Sequence, residues 1–196
     1  MADIVAVATR EFASKSLSGA RIDEIAAQTR TSKRMIYYYF GSKEGLYLAV
    51  LEEAYRRIRG IERSLNLADL PPEEALRQLV GFTFDYQVAN PDFIRLVMNE
   101  NIHNGEFLAR SATVQELNVP AIDAVRAIYR RGVAEGAFRD GLDALDLYMS
   151  ISALCFFTVA NRHTFSVIFK HDMTTPAALA TRRASVVDMV ARHVRA

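Results

Sequence analysis

Apolar residues recur at intervals of three and four along most of this chain, and no stretch alternates apolar with polar residues between turn signals. Residues 3–14 show the pattern, with Ile4, Ala8 and Phe12 on one stripe. Such spacing places apolar side chains on one face of an α-helix, whereas a half-buried strand requires strict alternation. The sequence therefore predicts an all-α fold without a sheet.

Turn residues divide this pattern into about nine helices. Ser32 and Ser42 stand where an N-cap is expected, because a serine hydroxyl can accept a hydrogen bond from an amide of the first helical turn. Residues 66–72 form the clearest linker, and Pro120 predicts a jog in the seventh helix. The predicted helices cover residues 3–14, 22–29, 33–39, 43–63, 72–89, 92–102, 106–135, 143–163 and 176–195.

The composition is that of an ordinary globular protein, since 51% of the 196 residues are apolar and 24% are charged. The single cysteine, Cys155, excludes an internal disulfide and a cysteine-rich metal site. The longest nearly uncharged stretch, between Asp146 and Arg162, is shorter than the roughly 18–20 apolar residues of a membrane span. Asp3 and Arg10 interrupt the first apolar run, so no signal peptide is expected. The sequence thus predicts a cytoplasmic protein without a membrane partner.

Charge is distributed unevenly along the chain. Residues 1–63 hold eleven Lys and Arg against eight Asp and Glu, whereas residues 64–196 hold thirteen against fifteen. Residues 30–43 contain four basic residues and no acidic one. A basic N-terminal part favours a polyanionic partner, although a solvated helix face would have the same composition.

Two short helices joined by a tight turn form a candidate helix-turn-helix within residues 22–39. The core of such a unit needs small and branched apolar residues, here Ile22, Ile25 and Ile36. Its second helix is basic and aromatic, as expected of a helix that lies in a DNA groove. The outward-facing candidates are Lys33, Arg34, Tyr37 and Tyr38, and the flanking phosphate contacts are Arg21, Tyr39 and Lys43.

Residues 19–46 resemble the DNA-binding head of the TetR family of bacterial transcriptional repressors. The positions that match the family pattern are Gly19, Ile22, Ile25-Ala26, Ser32-Lys33, Ile36, Tyr37, Phe40, Ser42-Lys43-Glu44 and Leu46. The rest of the chain resembles the family only in its helical plan. The resemblance implies a ligand-responsive repressor with two domains. A helix-turn-helix domain with a connecting helix would span 1–63, and an effector-binding and dimerisation domain would span 64–196.

The resemblance also implies individual roles in DNA binding. Ser32 corresponds to the residue that caps the recognition helix, and Lys33 and Arg34 correspond to positions that face the major groove, where a basic side chain can pair with guanine. The implied contacts to the sugar-phosphate backbone are Arg21, Tyr37, Tyr38, Tyr39 and Lys43, the last at a helix N-terminus that favours an anion. Ile36 and Phe40 are expected in the core.

One departure from the family pattern lies in the turn between the two short helices. The family usually has an Ala-Gly-Val type of sequence there, and this chain has Thr29-Arg30-Thr31. Glycine adopts a positive φ easily, whereas arginine in the same backbone costs roughly 1 kcal/mol. Two outcomes are open at this point: a changed turn, or a tolerated strain.

The body contains two candidate dimerisation helices. The helix at 143–163 is apolar almost all round, so it must be buried on both sides. The helix at 176–195 carries an apolar stripe with arginines outside it. In the family the last two long helices pair with those of a second copy, and a two-fold dimer matches a pseudo-palindromic operator.

The family resemblance further implies a small-molecule effector, for which an aromatic or carboxylate-bearing compound is the expectation. Such a site needs apolar walls with a few convergent polar groups, although any one aromatic residue could equally belong to the core. Polar groups near residues 99–103 and 161–163 either cap helix ends or line the cavity. The candidate lining residues are Phe82, Tyr86, Met98, Asn99, His103, Phe107, Tyr148, Cys155, Phe156 and His163.

No metal site, cofactor or catalytic centre is expected. The four histidines lack the HxxxH and HExxH spacings that place two ligands on one helix face. No nucleophile elbow or phosphate-binding glycine loop occurs, and an apolar setting would keep Cys155 unreactive. A helical adaptor without DNA binding is the other class considered, but it gives no reason for the Tyr-Tyr-Tyr-Phe and Ser-Lys-Glu pattern beside a basic patch. Whether the effector releases or promotes DNA binding stays open.

Overall fold

The computed structural model describes the whole chain, Met1–Ala196, and confirms the all-α prediction. No strand is formed, and the two extended residues that pair in an isolated bridge are Phe138 and Arg195. Single 3-10 turns lie at Leu67–Asp69 and Leu108–Arg110. The ten α-helices are α1 (Ala2–Gly19), α2 (Ile22–Gln28), α3 (Lys33–Phe40), α4 (Lys43–Arg63), α5 (Pro72–Ala89), α6 (Pro91–Ile102), α7 (Ala112–Ala134), α8 (Ala144–Ala160), α9 (Arg162–Phe169) and α10 (Pro176–Val194).

The additional helix relative to the predicted nine is α9. The Asn161 backbone N–H donates to the Phe157 carbonyl at 3.0 Å, and the Asn161 carbonyl accepts from the Phe165 N–H at 2.9 Å, so one residue ends α8 and begins α9. The two helices meet at a 65° bend. No single helix is long and apolar enough to span a membrane, and α8 and α9 reach that length and apolarity only together, as this bent pair. The predicted seventh helix starts later than expected because the Ser111 hydroxyl caps it, accepting from the Val114 N–H at 3.1 Å.

The chain divides into two compact units. The first unit comprises Met1–Ile58 together with Asp92–Leu117. The sequence held no signal that residues 92–117 would group with the N-terminal helices. The main buried residues of this unit are Ile4, Val7, Ala8, Phe12, Ile25, Ile36, Leu46, Tyr47, Val50, Leu51, Leu96 and Phe107.

The second unit comprises Arg59–Pro91 and Asn118–Ala196. Within it α5, α8 and α10 pack against one another. The Arg183 Nε donates to Asp85 Oδ1 at 2.8 Å and ties α10 to α5. The main buried residues here are Leu76, Leu79, Val80, Phe84, Val125, Ile128, Leu147, Ile151, Cys155, Val186 and Val190.

The turn between α2 and α3 keeps a left-handed residue although it lacks the family's glycine. Arg30 has a φ of 51°. The Thr31 N–H donates to the Ala26 carbonyl at 3.1 Å and the Arg30 N–H to the Ala27 carbonyl at 3.5 Å, which is the hydrogen-bond pattern of a Schellman motif. Of the two outcomes left open by the sequence, the structure shows the tolerated strain.

Replacing Arg30 by glycine should stabilise the protein by about 0.5–1 kcal/mol, because glycine has no Cβ to strain at positive φ, although it adds freedom to the unfolded chain. Urea unfolding with an unchanged slope measures the gain. Asn104→Gly is the matched control: Asn104 is also left-handed, with a φ of 56°, but asparagine tolerates that backbone. Equal gains from the two substitutions would contradict the strain at Arg30.

A close approach at Gly132 positions the segment that follows α7. A Cβ at residue 132 would lie 2.0 Å from the Phe138 ring. That ring stacks near Tyr129, with the centroids 6.5 Å apart. The Tyr129 hydroxyl donates to the Arg139 carbonyl and accepts from the Leu142 N–H, both at 2.9 Å. The absence of a side chain at residue 132 is therefore a packing requirement.

Gly132→Ala should destabilise the protein by about 1–3 kcal/mol, because the added methyl group forces the Phe138 ring to move. Gly60→Ala is the matched control, since Gly60 is also helical and a Cβ there would meet nothing within 4 Å. This control should be neutral or stabilising by about 0.5–1 kcal/mol. Thermal unfolding of the two variants distinguishes them, and similar melting temperatures would refute the packing argument.

Candidate nucleic-acid interface

Helix α3 buries its apolar side and presents its polar and aromatic side to solvent. The predicted N-cap is confirmed: the Ser32 hydroxyl accepts from the backbone N–H three residues along at 3.2 Å. Ile36 is completely buried, whereas Tyr38 is 78% exposed and Tyr37 and Tyr39 are 44% and 45% exposed. The helix thus offers three adjacent tyrosines on its accessible surface.

A shared apolar core holds α3 against its neighbours. Ile25 of α2, Ile36 of α3 and Leu46 of α4 are fully buried in one cluster. Phe12 of α1 meets Tyr47 of α4 edge-on, with the ring centroids 5.1 Å apart. This packing fixes α3 as part of a four-helix head.

The junction of α3 and α4 depends on two glycines. Gly41 ends α3 with a φ of 75°. The Ser42 hydroxyl caps α4 by accepting from the Gly45 N–H at 3.0 Å. A Cβ at residue 45 would lie 2.0 Å from the Phe40 carbonyl oxygen, so only glycine permits this approach. Gly45 was not predicted from the sequence, where its place in the first turn of a helix is its one distinguishing feature. The close contact positions Lys43 beside α3.

Two predicted DNA contacts pair with the same carboxylate. The Arg21 Nη2 lies 2.7 Å from Asp23 Oδ2, and the Lys33 Nζ lies 3.7 Å from the same oxygen. The Arg21 guanidinium holds the pKa of Asp23 well below its usual range. Exposed ion pairs contribute little to stability, so DNA can take over either cation at a small cost.

The remaining basic residues of the head lie on an acid-free stretch. Arg30 and Arg34 are exposed, and residues 30–43 contain no carboxylate. Lys43 is the first residue of α4, and its Nζ donates to the Ser18 carbonyl at 3.3 Å. The surface around α3 therefore combines positive charge, tyrosine hydroxyls and a helix N-terminus, the groups that bind a nucleic-acid backbone.

The ten predicted effector-binding residues are divided between the two units. Met98, Asn99, His103 and Phe107 lie in the first unit, and Phe82, Tyr86, Tyr148, Cys155, Phe156 and His163 lie in the second.

The candidates of the first unit hold the end of α6. The Asn99 Nδ2 donates to the Phe12 carbonyl at 3.2 Å, and the His103 Nδ1 lies 2.7 Å from the Asn99 carbonyl. Phe107 meets Tyr47 edge-on, with the centroids 5.3 Å apart. These contacts connect α6 and the turn after it to α1 and α4.

Glu100 also holds this turn, a role that the sequence analysis missed. Its side chain is 2% exposed, and its Oε2 accepts from the backbone N–H groups of Phe107 at 3.2 Å and Leu108 at 3.0 Å. Burial, together with the neighbouring Glu100 carboxylate, raises the pKa of Tyr47. The sequence feature that could have identified Glu100 is its spacing, because it lies four residues after the buried Leu96 and therefore on the same face of α6.

The candidates of the second unit include core and surface positions. Phe82 and Tyr86 contact each other on α5, with the ring centroids 5.8 Å apart. Cys155 is completely buried, and burial raises the pKa of its thiol to about 12. Phe156 is half-buried and His163 is exposed. Cys155 therefore remains a neutral thiol near neutral pH.

Arg59 forms the main polar network of the second unit and was not predicted. Its guanidinium donates to Asn118 Oδ1 at 2.9 Å, to the Tyr148 hydroxyl at 2.8 Å and to Glu62. Arg59 and Glu62 are 8% and 9% exposed. Burial lowers the pKa of Arg59, but Tyr148 and Glu62 outweigh it and the net pKa is raised. Nothing in the sequence distinguished Arg59 from the arginines around it.

Comparison with protein families gives two matches along the chain. Residues 4–50 match the family described as bacterial regulatory proteins, tetR family. Residues 72–190 match the family described as Tetracyclin repressor-like, C-terminal domain. The first match contains the helix-turn-helix, and the second covers most of the helical body.

Two curated relatives resemble the chain over most of its length. The HTH-type transcriptional repressor NicS of Pseudomonas putida is 36% identical over 193 residues, which cover 98% of this chain and 91% of NicS. The HTH-type transcriptional repressor SCO4008 of Streptomyces coelicolor is 33% identical over 156 residues, which cover 78% of this chain and 74% of that protein.

Two solved structures share the fold at low identity. A bacterial regulatory protein in the tetR family from Rhodococcus RHA1 has a TM-score of 0.78 at 19% identity, over 99% of this chain and 96% of that chain. The transcriptional regulator FadR from Bacillus subtilis, in complex with stearoyl-CoA, has a TM-score of 0.75 at 17% identity, over 99% of both chains. At these identities the likeness concerns the fold alone.

Arg59→Met should cost about 3–5 kcal/mol, because it leaves Glu62 buried without a partner. Combining it with Glu62→Leu should recover most of the loss, since no charge then stays buried. Arg56→Met serves as the control, because Arg56 pairs with Glu53 on the surface and its loss should cost no more than about 1 kcal/mol. Urea unfolding measures all three, and equal costs for the two single arginine variants would refute the role of the network.

Proposed function

The chain belongs to the TetR family of bacterial regulators, and on that premise we propose that it is a ligand-responsive repressor. It binds a pseudo-palindromic operator as a homodimer and leaves the operator when a small molecule binds. The observation that carries the proposal is α3, a capped helix with a buried apolar side and an exposed basic and aromatic side. The protein acts on chromosomal DNA in the cytoplasm as a binding protein, not as an enzyme.

DNA recognition is assigned to α3 and the groups around it. Arg34 and Lys33 face the bases in the major groove, where a basic side chain can pair with guanine O6 and N7. Phosphate and sugar contacts fix the register without reading sequence. These contacts are assigned to Arg21, Tyr37, Tyr38, Tyr39 and Lys43, and Ser32 caps the helix that carries the readout.

Dimerisation is assigned to the helices near 143–163 and 176–195, which are α8 and α10. Leu145 and Met149 of α8 are 46% and 53% exposed, and they lie four residues apart on the helix. Met189 of α10 is also exposed, at 39%. An apolar row on the outer side of a helix whose inner side is buried is typical of a surface that a second copy covers.

Release is assigned to a movement of α4, whose two ends lie in different units. Its first turn carries Lys43, and its last turns carry Arg59, which holds Tyr148 and Asn118 of the second unit. A ligand that displaces these partners alters the position of α4 and the separation of the two heads, about 34 Å in a dimer that spans successive major grooves. The ligand shifts this equilibrium only by its differential affinity for the two states.

The relatives support repression and ligand response. NicS and SCO4008 are both called transcriptional repressors. FadR from Bacillus subtilis was solved with stearoyl-CoA bound, so a chain of this fold can hold a small molecule.

Selection of bound sequences from a random duplex pool, at a stated salt concentration, tests the function directly. Enrichment of a pseudo-palindrome with two half-sites is the expected result. Absence of any enriched sequence, with or without a library of small organic molecules, would instead favour a helical adaptor that does not read DNA.

Lys43→Ala should weaken binding to operator and unrelated DNA alike and reduce the slope of log affinity against log salt by about 1 per protomer, since one phosphate contact is lost. Arg77→Ala is the matched control, because it removes one exposed cation from α5. Titrations at several salt concentrations measure both. If Lys43→Ala has the wild-type slope of log affinity against log salt, Lys43 does not contact a phosphate.

Arg34→Ala should instead relax the preference at one base position, at a cost of about 1–3 kcal/mol on the preferred sequence. The loss of binding affinity caused by Arg34→Ala should be smaller on unrelated DNA. Repeating the duplex selection with this variant measures the change, and an unaltered binding motif would exclude base reading by Arg34.

A further inference from the structure

A cavity of about 250 Å³ lies in the second unit where α8, α9 and α10 meet. It exceeds the roughly 150 Å³ of a cavity that holds benzene, so one substituted ring fits. Its lining includes Phe157 and Thr158 of α8, Phe165 of α9, His171 and Met173 of the following loop, and Arg182 of α10. None of them is among the predicted effector-binding residues.

Apolar groups form two walls of this cavity. Phe157 and Phe165 meet edge-on with ring centroids 5.9 Å apart, and Met173 closes the loop side. The loop is held in place because the Met173 N–H donates to the Ser166 hydroxyl at 3.3 Å. These walls accept a flat or short apolar group.

Thr158 is a lining residue of the cavity and has an unsatisfied hydroxyl. The residue is 2% exposed, and its Oγ1 has no hydrogen-bond partner. A buried hydroxyl without a partner is unfavourable, so most such groups in native proteins are satisfied. A ligand atom that accepts from Thr158 supplies the missing bond.

The charged groups of the cavity wall are basic. Arg182 forms no ion pair, whereas the adjacent Arg183 is paired with Asp85 at 2.8 Å. No acidic side chain lines the cavity. The carboxylate of the loop, Asp172, is occupied by the Thr174 hydroxyl and N–H at 2.6 and 2.8 Å. The cavity therefore holds an uncompensated positive charge beside an unsatisfied donor.

We propose that this cavity is a binding site for a small organic acid. The apolar part of the ligand lies against the wall formed by Phe157 and Phe165, its carboxylate pairs with Arg182, and one oxygen accepts from the Thr158 hydroxyl. His171 adds a second nitrogen donor at the loop side. The identity of this molecule as the effector rests on the proposed function, whereas the binding itself does not.

Calorimetric titration of the 196-residue chain with benzoate, and with neutral benzamide as the matched probe, tests the site. Benzoate should bind saturably and at least tenfold more tightly than benzamide, because only benzoate pairs with Arg182. Arg182→Gln should abolish this preference and weaken benzoate binding at least tenfold. Thr158→Val, which keeps the shape, should weaken binding about three- to tenfold by the loss of one hydrogen bond.

Arg183→Gln is the control on the same helix and should keep wild-type benzoate affinity. Circular dichroism confirms that each variant is folded. Absence of saturable benzoate binding to the wild-type protein, equal affinity for the two probes, or wild-type affinity in Arg182→Gln would each overturn the proposal. Operator titration with and without benzoate is a separate measurement: unchanged operator affinity would leave the binding site in place and remove only its role as effector site.

Discussion

The buried contacts of Tyr47 are the interaction on which the DNA-binding half depends. Its ring meets Phe12 on one side and Phe107 on the other, at 5.1 and 5.3 Å between centroids. Glu100 holds the Phe107 and Leu108 amides and so fixes the turn that delivers Phe107. Because of this cluster, the segment after α6 belongs to the same compact unit as the helix-turn-helix. The surface that carries α3 is consequently supported by residues distant in sequence.

Helix α4 is constrained by a close backbone approach at its start and by buried hydrogen bonds near its end. At its start, Gly45 allows the backbone to approach the Phe40 carbonyl, where any side chain would collide. Near its end, Arg59 is buried and hydrogen-bonded to Asn118 and Tyr148. In the proposed release mechanism, a displacement at Arg59 is carried along α4 to its Lys43 end.

The surroundings of α8 explain its almost uniformly apolar sequence. One side, with Leu147, Ile151 and Cys155, is buried within the second unit. The opposite side, with Leu145 and Met149, is accessible in the single chain, which is the arrangement that the proposed dimer requires. Where α8 bends into α9, the packing leaves the cavity with the basic wall. One helix therefore contributes to the core, to the proposed dimer surface and to the proposed ligand site.

The helical class, the bounds of most helices, the Ser32 cap and the helix-turn-helix follow from the sequence pattern, because they depend on local spacing, capping and short-range hydrogen bonds. The sequence also identified the position of strain at Arg30, since backbone preference is a property of one residue. Tertiary structure alone decided the burial of Glu100, the network around Arg59 and the open donor of Thr158. Each of these depends on which groups from distant segments come within about 3 Å, and no local pattern specifies such a distance.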